Sequence, residues 1–257
     1  MTGLPYFNLR GKVAVVTGGA AGIGRGIAEG LAEAGADIVI GARRLDPCAA
    51  ACAAFAERAG VKTLPLSLDL RDAGSVDAFV AHVKKIMGKI DILVNNAAVI
   101  EEKLILDMAE NDWDLMLDTN LKGVFRLSKA AAIKMIERNQ GGKIISVASI
   151  AGRIAWPKMS AYCASKGGCI ELTKVMALEW ARYNIQANAI LPGYFLTPMS
   201  AAFVHSDLGD EVIKSEVPMR RVADISEIKG LAVLLASPAS SYITGASFII
   251  DGGQSCH

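Results

Sequence analysis

Short apolar runs rich in β-branched residues alternate along this chain with longer helix-like stretches. The runs are Val13–Thr17, Ile38–Ile40, Thr63–Ser67, Ile90–Val94, Lys143–Val147, Ile185–Ile190 and Ser247–Ile250. Most lack in–out alternation, as strands covered on both faces do, which predicts a parallel sheet with helices on each side. The stretches between them are Gly22–Ala34, Pro47–Ala59, Ser75–Met87, Asp112–Arg138, Ala161–Tyr183 and Ser226–Ala236. They have helical length and composition, and Pro47 and Ser226 sit where helix starts are expected. The rhythm predicts a doubly wound α/β fold in three layers, α/β/α. No linker, repeat or low-complexity segment interrupts it, so residues 1–257 read as one domain. The piece from Pro198 to Val222, with Phe203, His205, Gly209 and Pro218, fits the rhythm least and reads as an inserted substrate lid.

Composition narrows the function classes. Of 257 residues, 52% are hydrophobic, ample for a large core. The 27 Lys and Arg nearly balance the 26 Asp and Glu, so no basic excess points to nucleic acid. The five cysteines, Cys48, Cys52, Cys163, Cys169 and Cys256, form no CxxC pair, and with three histidines no metal site is implied. Cys48 and Cys52 read as buried thiols sharing a helix face. Met1–Lys12 lacks a basic-then-apolar leader, and no disulfide pattern is visible, so a cytoplasmic setting is expected. The uncharged stretch Asn184–Val204 is long enough to span a bilayer. It carries Pro192, Gly193 and Pro198, and reads as a strand followed by a loop.

Two groups of residues carry chemistry. The first strand runs into Thr17-Gly18-Gly19-Ala20-Ala21-Gly22-Ile23-Gly24. Glycines there let backbone approach a pyrophosphate, and the following helix offers unpaired N–H groups and the positive end of its dipole. The second strand ends in Ile40-Gly41-Ala42-Arg43-Arg44, with no acid to bind ribose hydroxyls. Arg43 instead offers a guanidinium to a 2′-phosphate, so NADP(H) is expected over NAD(H), which remains admissible. The second group opens a helix at Tyr162 and Lys166, four residues apart and so on one face. A free tyrosine, with a pKa of about 10, is a poor acid–base at neutral pH, and a nearby cation favours its phenolate. Ser149 follows the strand Lys143–Val147 at its carboxyl end, where doubly wound folds bind ligands. Asn120 lies mid-helix, an unfavourable place that calls for an explanation.

These residues together resemble the short-chain dehydrogenase/reductase family over nearly the whole chain. Thr17–Gly24 resembles its TGxxxGIG cofactor loop, and Asp69-Leu70 its adenine-contacting pair. Asn95-Asn96-Ala97-Ala98 is similar to its NNAG motif, Leu191–Thr197 to its PGxIxT stretch, and Asp251-Gly252-Gly253 to its terminal DGG. The resemblance implies a Rossmann-type fold and a catalytic tetrad of Asn120, Ser149, Tyr162 and Lys166. In it Ser149 hydrogen-bonds the substrate oxygen, Tyr162 exchanges the proton, Lys166 holds the cofactor ribose, and Asn120 maintains a proton path to solvent. It implies a cofactor held by Gly18, Gly22, Ile23, Gly24, Arg43, Asp69, Leu70, Asn96, Phe195 and Thr197, together with Tyr162 and Lys166.

Ala98 departs from the family glycine, tolerable unless its φ is positive. Phe195 stands where Ile or Val is usual, and Ala21 where NADP-preferring relatives are often basic. The expected reaction is interconversion of a secondary alcohol and a ketone, the substrate a small ketone, polyol or sugar acid. Ser149, Trp156, Tyr194, Met199 and Phe203 are expected around that substrate. A 3-oxoacyl thioester (acyl-carrier-protein) reductase is the competing enzyme, and a non-catalytic NADP-sensing protein the competing class. The resemblance also implies a homotetramer built through Asp112–Arg138, Ala161–Tyr183 and the C-terminal segment.

Overall fold

A computed structural model describes residues 4–256, so the first three residues of the leader reading lie outside the described residues. Seven parallel strands form one sheet: β1 (Val13–Thr17), β2 (Asp37–Ala42), β3 (Thr63–Ser67), β4 (Ile92–Asn95), β5 (Gly142–Val147), β6 (Ile185–Pro192) and β7 (Ser247–Ile250). Their spatial order is β3-β2-β1-β4-β5-β6-β7. Strand order reverses between β1 and β4, which opens the ligand crevice of a doubly wound sheet at their carboxyl ends. Alternate residues of β1 face opposite layers. Ala14 and Val16 pack in one core with Ile27, Leu31, Phe55 and Leu235, and Val13 and Val15 in another with Phe79, Leu127 and Met135.

The helices are α1 (Gly22–Glu33), α2 (Leu45–Ala59), α3 (Ala73–Met87), α4 (Glu110–Leu117), α5 (Gly123–Arg138), α6 (Ser160–Trp180), α7 (Ala201–Val204), α8 (Asp207–Glu216) and α9 (Lys229–Ala236). Several boundaries differ from the sequence reading for identifiable reasons. Pro47 falls in the first turn of α2, two residues inside its start. Asp72, whose carboxylate accepts the Gly74 N–H, caps α3 ahead of Ser75. The helix expected from Ser226 is announced by Asp224 in a capping box with Glu227, and begins as a 3₁₀ turn. The long helix Asp112–Arg138 is two α-helices joined by a π-turn, Asp118–Lys122.

Asn184–Val204 forms β6, a turn and α7, and among the described residues no helix is long and apolar enough to cross a membrane. Cys48 and Cys52 are buried in the α2 core as expected. Of the apolar residues in α5 and α6, Leu127 is core, whereas Phe125, Val175 and Leu178 are exposed. One structural acid escaped the sequence reading. Asp91, just before β4, is buried and accepts the Val13 N–H at 2.8 Å. It also pairs with Arg138 at 2.9 Å and Lys89 at 3.1 Å, tying the base of the sheet to the end of α5.

Candidate active site

The crevice at the carboxyl ends of β1 and β4 is built by hydrogen bonds between the two strand ends. The Thr17 hydroxyl accepts the Asn96 and Ala97 N–H groups at 2.9 and 3.0 Å, and donates to the Val94 carbonyl. The Asn96 side-chain amide donates back to the Thr17 carbonyl at 2.9 Å. Thr17 ends β1 and opens the glycine turn, and this clamp is a further task for it. Between the clamp and α1 the chain turns through Gly18 and Gly22, both at positive φ, 65° and 53°. At Gly24 a Cβ would collide with the Asn96 amide and come within 2.6 Å of the Gly18 carbonyl, so only glycine fits. Ala21 precedes α1 with no side-chain cap, which leaves the helix's first N–H groups for a ligand. Ala98 is not among the non-glycine residues at positive φ, so its methyl group is carried without strain.

Three cavities run along this crevice. One of about 120 Å³ is walled by Gly41, Arg43, Asp69 and Leu70. The Arg71 guanidinium, hydrogen-bonded to Asp69, holds that carboxyl below its usual range, with Arg43 adding to the effect. A second of about 440 Å³ lies between Gly18, Ala21, Ala42, Arg43 and Arg44. The third, about 450 Å³, is a cleft that also reaches Gly18 and Arg44. The chain of cavities, the open helix end and the flanking guanidiniums fit an elongated anionic dinucleotide.

The cleft also gathers the chemical residues. Ser149, Tyr162 and Lys166 line it together with Ile23, Gly24, Asn96, Phe195 and Thr197. Lys166 is only 3% exposed. Its ammonium donates to the Val147 carbonyl at 2.8 Å and lies 5.6 Å from the centre of the Tyr162 ring. The Ser149 oxygen accepts the Ala151 N–H at 3.1 Å, which leaves its own proton to donate. Asn120 stands behind the wall, in the π-turn, 1% exposed. Its side chain accepts the Val99 N–H at 2.9 Å and donates to the Val99 carbonyl at 2.8 Å and to Ser165 at 3.2 Å. The mid-helix asparagine thus fastens the segment after β4 onto α6, and the π-turn that holds it is a feature frequent at functional sites.

Tyr194 and Met199 line the cleft, whereas Phe203 is not part of its wall and stacks on Tyr194 with ring centres 5.5 Å apart. Trp156 departs from expectation: it is not part of the cleft wall but packs on the apolar cluster of Val124, Ile150 and Ile170. The sequence reading also passed over Ser200. Its hydroxyl donates to the Phe195 carbonyl at 2.6 Å and accepts the Thr197 N–H, shaping the cleft's rim. A Thr-x-x-Ser spacing after a proline–glycine turn was the available signal.

Comparison with known proteins agrees with this geometry. A family profile described as "Enoyl-(Acyl carrier protein) reductase" matches residues 18–255. The chain is 40% identical to the 2-dehydro-3-deoxy-D-gluconate 5-dehydrogenase of Escherichia coli, over 97% of this chain and 98% of that protein. It is 40% identical to an NAD-dependent glycerol dehydrogenase of Listeria innocua, over 96% and 95%. Among solved structures, a gluconate 5-dehydrogenase from Burkholderia cenocepacia, in complex with NADP and tartrate, superposes with a TM-score of 0.94. The identity there is 36% and the coverage 98% of both chains.

Proposed function

Since the chain belongs to the short-chain dehydrogenase/reductase family, we propose that it interconverts a secondary alcohol and a ketone on a small polyhydroxy compound, using a nicotinamide cofactor. One observation supports this most. The buried ammonium of Lys166 and the half-buried phenol and hydroxyl of Tyr162 and Ser149 line the same cleft as the glycine turn. Bound there, the nicotinamide would supply or accept the hydride. Ser149 donates a hydrogen bond to the substrate oxygen. Tyr162 gives that oxygen a proton in reduction and removes it in oxidation. Lys166 holds positive charge beneath the phenol and binds the ribose hydroxyls. Asn120 acts by position, keeping the Val99 segment against α6. The relatives named for sugar acids and for glycerol support a hydroxyl-rich substrate over a 3-oxoacyl thioester.

The cofactor preference we propose is NADP(H). Ala42 leaves room beyond β2, and Arg43 borders both cavities there, with Arg44 on the second. Relatives carry both cofactors in their names, NADP in one structure and NAD in the glycerol enzyme. A charge-assisted contact to phosphate is worth about 1.5–3 kcal/mol, roughly ten- to hundredfold in affinity. Nicotinamide absorbance with each cofactor should show higher kcat/KM for NADP(H). Arg43→Ala and Ala42→Asp should each lose NADP(H) efficiency far more than NAD(H) efficiency. A wild type favouring NAD(H), or an unchanged preference in Arg43→Ala, would contradict the assignment.

Pro198–Val222 we take as a lid over the substrate. Of its two short helices, α8 is anchored by the buried Ile213 and Val217, while Phe203 of α7 stacks on Tyr194. Amide hydrogen exchange there should be faster than in β1 and slow when cofactor and substrate are added together. Exchange as slow as the sheet without ligand would contradict a lid. The exposed Phe125, Val175 and Leu178 on α5 and α6 support a homotetramer of closed symmetry, with the C-terminal segment as the second contact. Light scattering at micromolar concentration should give a tetramer mass, and a monomer alone would contradict it.

A further inference from the structure

Resting on the NADP(H) reading above, we infer that Arg71 is a specificity-determining residue for the 2′-phosphate: it occupies the Asp69 carboxylate and so leaves Arg43 free to turn toward the phosphate. The three side chains line one cavity at the adenine end, together with Gly41 and Leu70. Arg43 also lines the neighbouring cavity, with Ala42 and Arg44. It is exposed, and a flexible arginine at that boundary can serve either side. On one side lies a carboxylate of this chain, and on the other the space a 2′-phosphate would fill.

Arg71 decides that competition by its hold on Asp69. Its Nη2 donates to Asp69 Oδ2 at 3.0 Å and its Nε to Oδ1 at 3.2 Å, the two-point geometry in which a guanidinium binds a carboxylate best. The Arg71 backbone N–H adds a third bond, to Oδ1, at 3.0 Å. The turn that carries the pair is fastened on both sides. The Asp69 N–H donates to the Ser75 hydroxyl of α3 at 3.0 Å, and the Arg126 guanidinium of α5 donates to the Arg71 carbonyl.

An unpaired Asp69 would act on the cofactor in two ways. It would set a negative charge in the cavity wall beside Arg43, repelling a 2′-phosphate while accepting a ribose hydroxyl. It would also draw Arg43 to itself, since the Arg43 charge already reaches that carboxyl and adds to the effect of Arg71 in holding it ionised. Both effects penalise the phosphorylated cofactor alone, because NAD(H) carries no charge at the 2′ position. The end of β2 brings no acid to this cavity, but the chain just after β3 does, and Arg71 cancels it.

The test reads binding, by fluorescence titration of NADPH and NADH at low ionic strength. The proteins are the wild type, Arg71→Met, Arg71→Lys and the double variant Arg71→Met/Asp69→Asn. Charges at a partly exposed site are screened by solvent, so Arg71→Met should lower the NADPH-over-NADH affinity ratio by about three- to tenfold. The drop should shrink as salt is added. Arg71→Lys should keep most of the ratio, and the double variant, with the acid gone as well, should return it to near the wild-type value. A merely loosened turn would instead weaken both cofactors alike. An unchanged ratio in Arg71→Met would overturn the inference, as would a drop that persists in the double variant. The wild-type ratio tests the reading beneath it: tighter binding of NADH would overturn the NADP(H) preference, while the change of ratio alone decides the role of Arg71. Binding of neither cofactor would overturn both.

Discussion

The arrangement of the site depends on a charge that the fold has taken out of water. An ammonium as buried as that of Lys166 is expensive unless it is given partners. The Val147 carbonyl provides one, at 2.8 Å, from the last residue of β5. That bond sets how α6 lies against the sheet, because Lys166 belongs to its second turn. Tyr162, one turn earlier, is thereby carried to the mouth of the crevice, and Ser149, two residues beyond Val147, arrives from the strand side. The chemistry needs a phenol, a hydroxyl and a cation around one point, and a single buried bond between helix and strand brings them there.

The rest of the crevice is held by groups that cross-link loops to strand ends. Thr17 and Asn96 join the ends of β1 and β4, where strand order reverses and backbone would otherwise splay. Gly24 lets α1 approach that junction closely. Asn120 does the same work on the next segment by satisfying both backbone groups of Val99. Polar residues buried in this way are costly when half satisfied and rigid when fully satisfied, which suits walls that must keep their shape while a ligand comes and goes.

Much of this was legible in the sequence, and the reasons are specific. Strands covered on both faces leave uninterrupted apolar runs, so all seven appeared with boundaries within about two residues at most ends. Glycines at positive φ, a tyrosine and lysine one turn apart and a hydroxyl at a strand end are local patterns, and they survived into the site. Asn120 declared itself as an anomaly, and the anomaly turned out to be a π-turn. What escaped depends on contacts distant in sequence. Asp91 looks like any polar residue before a strand until Arg138 and Lys89 fold around it. Trp156 follows Ser149 closely and is aromatic, yet nothing local says that Ile150 and Val124 offer it a better surface than the cleft.

The central claim is that the Tyr162 hydroxyl moves the proton while the rest of the site binds and orients. Tyr162→Phe keeps the ring over Lys166 and removes only that hydroxyl, so it separates the two tasks. Steady-state turnover and cofactor affinity measured on the same preparation test this directly. The account predicts turnover lower by about 10²–10⁴, the usual worth of a positioned acid–base, with cofactor affinity within a few-fold of wild type. Turnover near the wild-type value in that variant would contradict it.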